Sequence, residues 1–305
     1  MHLGSQFPAS FKRDGVKRLP VWLRRSLPMA SAQTTHQILS KYRILTVCES
    51  ALCPNRSECY SRRTATFMIL GDACTRRCGF CAIETGRPRE VSGDEPERVA
   101  HAAKELALTY VVITSVARDD LRDEGAGHFA ETIRAVKKLM PEAEIEVLTP
   151  DFHAKRELIQ KVLAAGPGVY NHNLETVERL QKKVRPQADF SRSLAVIRTV
   201  KELNPKVKTK SGLMLGLGES AEEIRAAARA LRSAGCDIMT LGQYLSPGKN
   251  FLPVEEYVSP EKFSEWALVL KALGFQEVFA GPYVRSSYHA QETFLKSKVR
   301  EYGIS

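Results

Sequence analysis

No apolar run in this chain approaches the roughly 18 residues that span a bilayer. The most apolar stretch, Leu108 to Ala117, is broken by threonine, tyrosine and serine. That lack predicts a soluble protein with no membrane partner. There is no internal repeat beyond a strand-helix unit, no low-complexity tract and no recognised nucleic-acid module, so nucleic acid is not the expected ligand. Acidic residues are scarce at the start: the first 45 residues hold one, Asp14, against eight Lys or Arg. The bias resembles an organelle transit peptide, but no apolar signal core accompanies it. Across all 305 residues, 45 Lys and Arg against 35 Asp and Glu leave a net charge of +10, which favours an acidic partner. An even cysteine count is also missing. Seven cysteines in a chain long enough to bury a sizeable core argue against a disulfide framework. A reducing compartment, the cytoplasm, suits clustered thiols of this kind.

Six of the seven cysteines fall within 34 residues, as Cys48, Cys53, Cys59 and then Cys74, Cys78, Cys81. Each triplet lacks a fourth ligand. A structural zinc site closes four protein ligands and favours paired C-x2-C units, and only Cys78 with Cys81 supplies such a pair. Iron–sulfur cubanes also take four thiolates as a rule, so a three-cysteine site leaves one iron open or held by another group. The second triplet has C-x3-C-x2-C spacing with Phe80 just before the last cysteine. It resembles the signature of radical S-adenosylmethionine (SAM) enzymes. The resemblance implies that the open iron chelates the amino and carboxylate groups of SAM.

From Thr66 onward, short β-rich runs alternate with amphipathic stretches, the pattern of parallel strands joined by helices. Strands are predicted at Phe67 to Gly71, Tyr110 to Thr114, Ile145 to Leu148, Val169 to His172, Lys208 to Leu215 and Ile238 to Leu241, with a weaker seventh at Glu277 to Ala280. Helix starts are expected at Asp94 or Glu95, Ser191, Ser220 and Ser259, and a stop at Gly235. The expected fold is α/β, a partial (β/α)6 TIM-like barrel, with a closed eightfold barrel as the alternative. The expected division is residues 1–65 as an N-terminal extension, 66–281 as the barrel and 282–305 as a C-terminal extension. Functional loops in such barrels follow the carboxyl ends of the strands. The Cys74 triplet follows the first.

The first triplet, Cys48-x4-Cys53-x5-Cys59 with Pro54, Asn55 and Glu58 inside it, resembles the auxiliary-cluster motif of lipoyl synthases, a radical SAM family. Arg285-Ser286-Ser287-Tyr288 matches that family's late RSSY motif. Similarity extends from about Arg18 to Ala290, and includes Thr114 to Leu121 and Tyr170 to Thr176. The resemblance implies a barrel of the radical SAM type, with two [4Fe–4S] clusters and SAM. One cluster would lie on Cys74, Cys78 and Cys81. The auxiliary cluster would lie between the extensions, on Cys48, Cys53, Cys59 and a serine, with Ser287 favoured over Ser286. The implied activity inserts sulfur at C6 and C8 of an octanoyl chain on a lysine of a lipoyl carrier protein, drawing it from the auxiliary cluster. The carriers would be lipoyl domains of 2-oxoacid dehydrogenases or the glycine-cleavage carrier protein. Other implied partners are an electron donor such as ferredoxin or flavodoxin, and an iron–sulfur carrier for cluster repair. Another radical SAM enzyme with an auxiliary cluster, or a non-catalytic iron–sulfur electron carrier, is the competing interpretation.

Further residues are weighed by position. Asn173 and Glu175 follow the fourth predicted strand, where they are placed either to hold ribose hydroxyls of SAM or to cap the next helix. Ser115 and Asp120 follow the second, near the expected methionine end. Arg185 suits either the SAM carboxylate or a surface ion pair. Gly212, Gly216 and Gly218 suggest close approach to the nucleoside, since they lack dinucleotide-fingerprint spacing. His128, His153 and His289 have no partner at metal-ligand spacing and are read as packing or solvent residues; His172 stands at a strand end between two asparagines. Cys236 is read as a small buried hydrophobe. Residues Lys12 to Arg25 form a candidate docking surface for an acidic carrier.

Overall fold

The computed structural model describes residues 19–24 and 32–302. Most of the basic docking segment, Lys12 to Arg18 and Arg25, lies outside the described residues.

The elements follow in chain order: α1 (Ala32–Lys41), β1 (Leu45–Thr46), α2 (Val47–Ser50), α3 (Arg56–Ser61), β2 (Thr66–Ile69), the two-residue strands β3 (Ala73–Cys74) and β4 (Glu84–Thr85), α4 (Glu95–Glu105), β5 (Tyr110–Ser115), α5 (Ala126–Leu139), β6 (Glu144–Leu148), α6 (Arg156–Leu163), β7 (Val169–Asn171), α7 (Gln181–Val184), α8 (Phe190–Leu203), β8 (Lys208–Leu215), α9 (Ala221–Ser233), β9 (Ile238–Gln243), α10 (Pro260–Ala272), β10 (Glu277–Gly281) and α11 (Ala290–Tyr302). Strands β2, β5, β6, β7, β8, β9 and β10 form one parallel sheet in that order. The sheet does not close, because β1 adds antiparallel to β2 at one edge and β10 ends the other. This is the open (β/α) barrel expected from the sequence, with the seventh parallel strand present in full.

Outward residues such as Val111, Ile113, Ile145 and Val147 pack under the helices in one large core. Buried on both faces, these strands read as continuous apolar runs. The lumen is partly polar: Lys210 Nζ lies 2.9 Å from Glu146 Oε1, and Tyr110 Oη donates to Glu146 Oε2 at 2.7 Å. From the C-terminal segment, Phe294 and Ala290 of α11 enter the same interior and pack on Tyr110, Val112 and Val169. An open barrel leaves space there that strand side chains alone do not fill.

Capping chemistry sets the helix starts. Ser220 and Glu223 form a reciprocal capping box on α9, and Ser259 accepts from Lys262 N–H on α10. Gly235 follows α9 with φ 92°, a left-handed stop. The cap of α8 is Asp189, which accepts from Arg192 N–H at 2.8 Å, rather than Ser191, because the helix begins one residue before that serine.

Candidate active site between two cysteine triplets

Loops after β2, β5, β6, β7, β9 and β10, with the strand β8 itself, converge on one cavity of about 570 Å³. Its wall carries all six clustered cysteines together with Ser286 and Ser287. The Cys74 loop begins as β3, where Cys74 Sγ accepts from Arg76 N–H at 3.4 Å and Ala117 N–H at 3.3 Å. Arg76, inside that loop, is buried and clamped by two carboxylates: Nη2 lies 2.6 Å from Asp119 Oδ1 and 2.8 Å from Asp151 Oδ1. Burial alone would raise Asp151, yet Arg76 overrides it and holds the carboxyl below the usual carboxylate range. The clamp ties the cysteine loop to the loops after β5 and β6.

Short helices built on the N-terminal segment present the other triplet. Cys48 lies on α2, capped by Thr46, and Cys59 on α3, with Cys53 in the turn between them. Two long-range bonds stitch this segment to the chain after β10: Asn55 Nδ2 donates to the Tyr283 carbonyl at 2.7 Å, and Tyr288 Oη donates to Glu58 at 2.9 Å. They bring Ser287 to the same wall as Cys48 and Cys59 although more than two hundred residues separate them in sequence. Ser286 differs: its Oγ bonds Asn173 Nδ2.

All six thiols are free of disulfides, and burial pushes those of Cys48 and Cys81 up to about 12. A metal bound at these thiols would have to displace their protons, the coupling expected of thiolate sites. Soft donors at this spacing, with backbone N–H groups aimed at one sulfur, fit a [4Fe–4S] cluster at Cys74, Cys78 and Cys81.

Polar groups line the wall beyond the Cys74 loop. Ser115 Oγ, Asn173 Oδ1 and Thr149 Oγ1 are buried without a hydrogen-bond partner, and all three residues face the cavity. Such orphans ask for a polar ligand, and they fit SAM. Glu175 sits beside them at φ 65°, with its N–H donated to the Gly212 carbonyl at 2.9 Å. Burial raises its pKa while Arg185 opposes the rise. Arg185 is buried, bonds the Asn173 and Leu174 carbonyls at 3.0 and 3.2 Å, and lines the cavity instead of forming a surface ion pair. Asp120 is not brought to the cavity; Arg118 holds its carboxylate in a bidentate pair at 2.9 Å. Of the three glycines, only Gly212 faces the cavity, where a Cβ would collide with Thr240 and crowd Asn173. Gly216 and Gly218 both have φ 97° and serve the backbone turn after β8.

The histidines have partners that spacing did not reveal. His128 pairs with Glu95 at 2.7 Å, His153 with Glu124 at 2.9 Å, and His289 with Glu292 at 2.7 Å. Each partner except Glu292 comes from a distant stretch of chain. His172 is buried, with Nδ1 2.9 Å from the Thr149 carbonyl and Nε2 3.1 Å from Ser193 Oγ. A carbonyl only accepts, so Nδ1 carries the proton and Nε2 accepts from the serine. Cys236 is fully buried, as its position suggested.

Residues 68–242, more than half of the chain, match the radical SAM superfamily. Solved structures share the architecture: methylornithine synthase aligns with a TM-score of 0.54 at 15% identity, covering 90% of each chain. HydG, a maturase of the [FeFe]-hydrogenase, aligns at 0.53 and 13% identity, covering 88% of this chain and 75% of its own. Fold and match together define a radical SAM enzyme, and membership implies a [4Fe–4S] cluster and SAM. Lipoyl synthase of Rhodopirellula baltica is 50% identical over 290 residues, spanning 94% of this chain and 92% of its own. That of Caldanaerobacter subterraneus is 51% identical over 273 residues, spanning 90% and 96%. The chain belongs to the lipoyl synthase family.

Proposed function

We propose that this enzyme replaces C–H bonds at C6 and C8 of an octanoyl chain by C–S bonds while the chain is amide-linked to a lysine of a lipoyl carrier protein. The sulfur source is an auxiliary [4Fe–4S] cluster on Cys48, Cys53, Cys59 and Ser287, which is consumed as a substrate. The observation that carries this reading is the single cavity lined by both cysteine triplets and by Ser287. A site for radical generation and a store of sulfide then face the same bound chain.

When bound, the cluster on Cys74, Cys78 and Cys81 supplies reductive cleavage of SAM, the source of a radical able to take hydrogen from unactivated carbon. The chain's own residues do the rest. Asn173, Glu175, Ser115 and Arg185 form the polar wall that orients SAM. Leu213, Met214 and Tyr244 line the cavity with apolar surface suited to an alkyl chain and keep water from it. Ser287 supplies oxygen where a fourth thiolate would otherwise stand, and so offers a weaker bond for a cluster that must come apart. It shares a wall with Cys48 and Cys59, whereas Ser286 is engaged by Asn173, which supports Ser287 as the ligand.

Acidic carrier domains, lipoyl domains of 2-oxoacid dehydrogenases or the glycine-cleavage carrier protein, complement the net charge of +10. A ferredoxin or flavodoxin supplies electrons, an iron–sulfur carrier restores the auxiliary cluster, and the enzyme works in the cytoplasm. Among the described residues no helix is long and apolar enough to cross a membrane.

Anaerobic incubation of the reconstituted protein with SAM, a reductant and an octanoyl-lysyl carrier peptide tests the reading. 5'-Deoxyadenosine should form, and the peptide should gain two sulfurs for two hydrogens. Both clusters loaded with neither product formed would favour a non-catalytic electron carrier.

A further inference from the structure

Directly after α7 the chain makes a tight turn, Arg185-Pro186-Gln187-Ala188, closed by Ala188 N–H on the Arg185 carbonyl at 3.0 Å. Proline at the second place of such a turn fixes its own φ and has no N–H to lose. It also keeps the residue before it out of helical backbone, and Arg185 accordingly stands at φ −137° and ψ 72°. The helix stops there, and the spacing from Arg185 to Gln187 is stiff.

The turn faces two ways. Arg185 lines the main cavity, where it bonds the Asn173 and Leu174 carbonyls of the SAM wall. Gln187, two residues on, lies against the Cys74 loop: Arg77 N–H donates to its Oε1 at 2.7 Å, and its Nε2 donates to the Thr75 carbonyl at 3.3 Å. An N–H only donates and a carbonyl only accepts, so the partners assign both ends of the amide. Val184, just before the turn, accepts from Gly79 N–H at 2.8 Å. Residues 184–187 thus grip the cysteine loop on both sides of Cys78. The Arg76 clamp holds the same loop through Asp119 and Asp151 and leaves its register with Arg185 to the turn. Gln187 is exposed, so core packing gives no reason for its two bonds, and water would satisfy Arg77 N–H and the Thr75 carbonyl in its absence.

We infer that Gln187 is a positioning residue for SAM: its amide sets the Cys74 loop in register with Arg185, so that the cluster loop and the polar wall bind one SAM molecule together. The inference rests on the proposed SAM wall, and adds the part that aligns this wall with the loop.

The experiment titrates SAM into the anaerobically reconstituted, reduced enzyme and follows the electron paramagnetic resonance spectrum of the cluster at Cys74, Cys78 and Cys81. Gln187→Ala removes both bonds. Gln187→Glu keeps an acceptor for Arg77 N–H but sets a second oxygen against the Thr75 carbonyl, and Pro186→Gly frees the turn while keeping the amide. Gln187→Ala should need roughly tenfold more SAM for the half-maximal spectral change, the worth of about two net hydrogen bonds. Gln187→Glu and Pro186→Gly should move the midpoint the same way. Iron content, melting temperature and the KM for octanoyl-lysyl peptide should stay at the parent's level, as should every readout in Lys182→Ala, an exposed neighbour on α7. A parent-like SAM midpoint in Gln187→Ala, or a shift matched by lost iron or by an equal rise in the peptide KM, would overturn the positioning role. A parent-like Pro186→Gly would uncouple Gln187 from Arg185 and overturn the register. If SAM leaves the parent's own spectrum unchanged, the SAM wall itself fails and the inference falls with it.

Discussion

Two side chains carry most of the site's logic at the residue scale. Arg76 neutralises Asp151, which has 0% exposed surface, and the pair anchors the Cys74 loop. Removing one member of a buried pair strands the other. Arg76→Gln should therefore destabilise the protein by about 3 kcal/mol in denaturant melts and lower iron occupancy at Cys74, Cys78 and Cys81; unchanged stability would show that Arg192, 3.3 Å from Asp151, suffices alone. Ser287→Cys should keep the auxiliary cluster, visible as parent-like iron content, and arrest product after one sulfur because a thiolate holds iron too firmly to release it. A normal yield of doubly sulfurated peptide would contradict the role given to the hydroxyl. The grouping of the six cysteines was legible because short, fixed spacings keep each triplet on one local stretch of chain, and the fold brings both triplets to one cavity wall. Arg76's partners were not, since Asp119 and Asp151 follow other strands and only the folded sheet brings their loops together. Asp120, next to Asp119, shows the same limit: sequence placed it near the cavity, while the fold turned it to Arg118.

Strands of the parallel sheet were the most legible elements, because burial on both faces writes them as continuous β-branched and apolar runs. β1 carried no such signal: two residues have no periodicity, and Leu45 pairs with Met68 only through the antiparallel edge. Helix α11 was equally hidden in function, for nothing in its sequence says that Phe294 enters the barrel interior. The turn after β6 stores backbone strain. Phe152, His153 and Ala154 have φ of 45°, 47° and 55°, three successive residues in the left-handed region. Only glycine adopts that region without steric cost. Ala154→Gly should raise stability by about 1 kcal/mol with parent activity; a loss of stability would mean that the methyl's packing on the core outweighs the strain.

At the scale of the whole molecule, buried charge sets how the protein answers acid. Burial pushes His172 from 6.5 down to about 4, with Arg185 adding to the effect, so the unfolded chain binds a proton there that the folded one refuses. Its contribution is present above pH 6.5 and is lost as pH falls toward about 4, amounting to about 3 kcal/mol across that window. Unfolding free energies measured between those limits should decline with acid, and His172→Asn should flatten the decline; equal slopes in both proteins would remove His172 as its cause. The overall account depends on the N-terminal and C-terminal segments meeting at one end of the open barrel, so that a sulfide store faces the SAM-cleaving loop. The most direct test loads the auxiliary site with isotopically heavy sulfide, leaves the other cluster light, and weighs the octanoyl-lysyl peptide after one anaerobic round. The account predicts that both inserted sulfurs are heavy. Product carrying light sulfur, with the heavy cluster still intact on the protein, would contradict it.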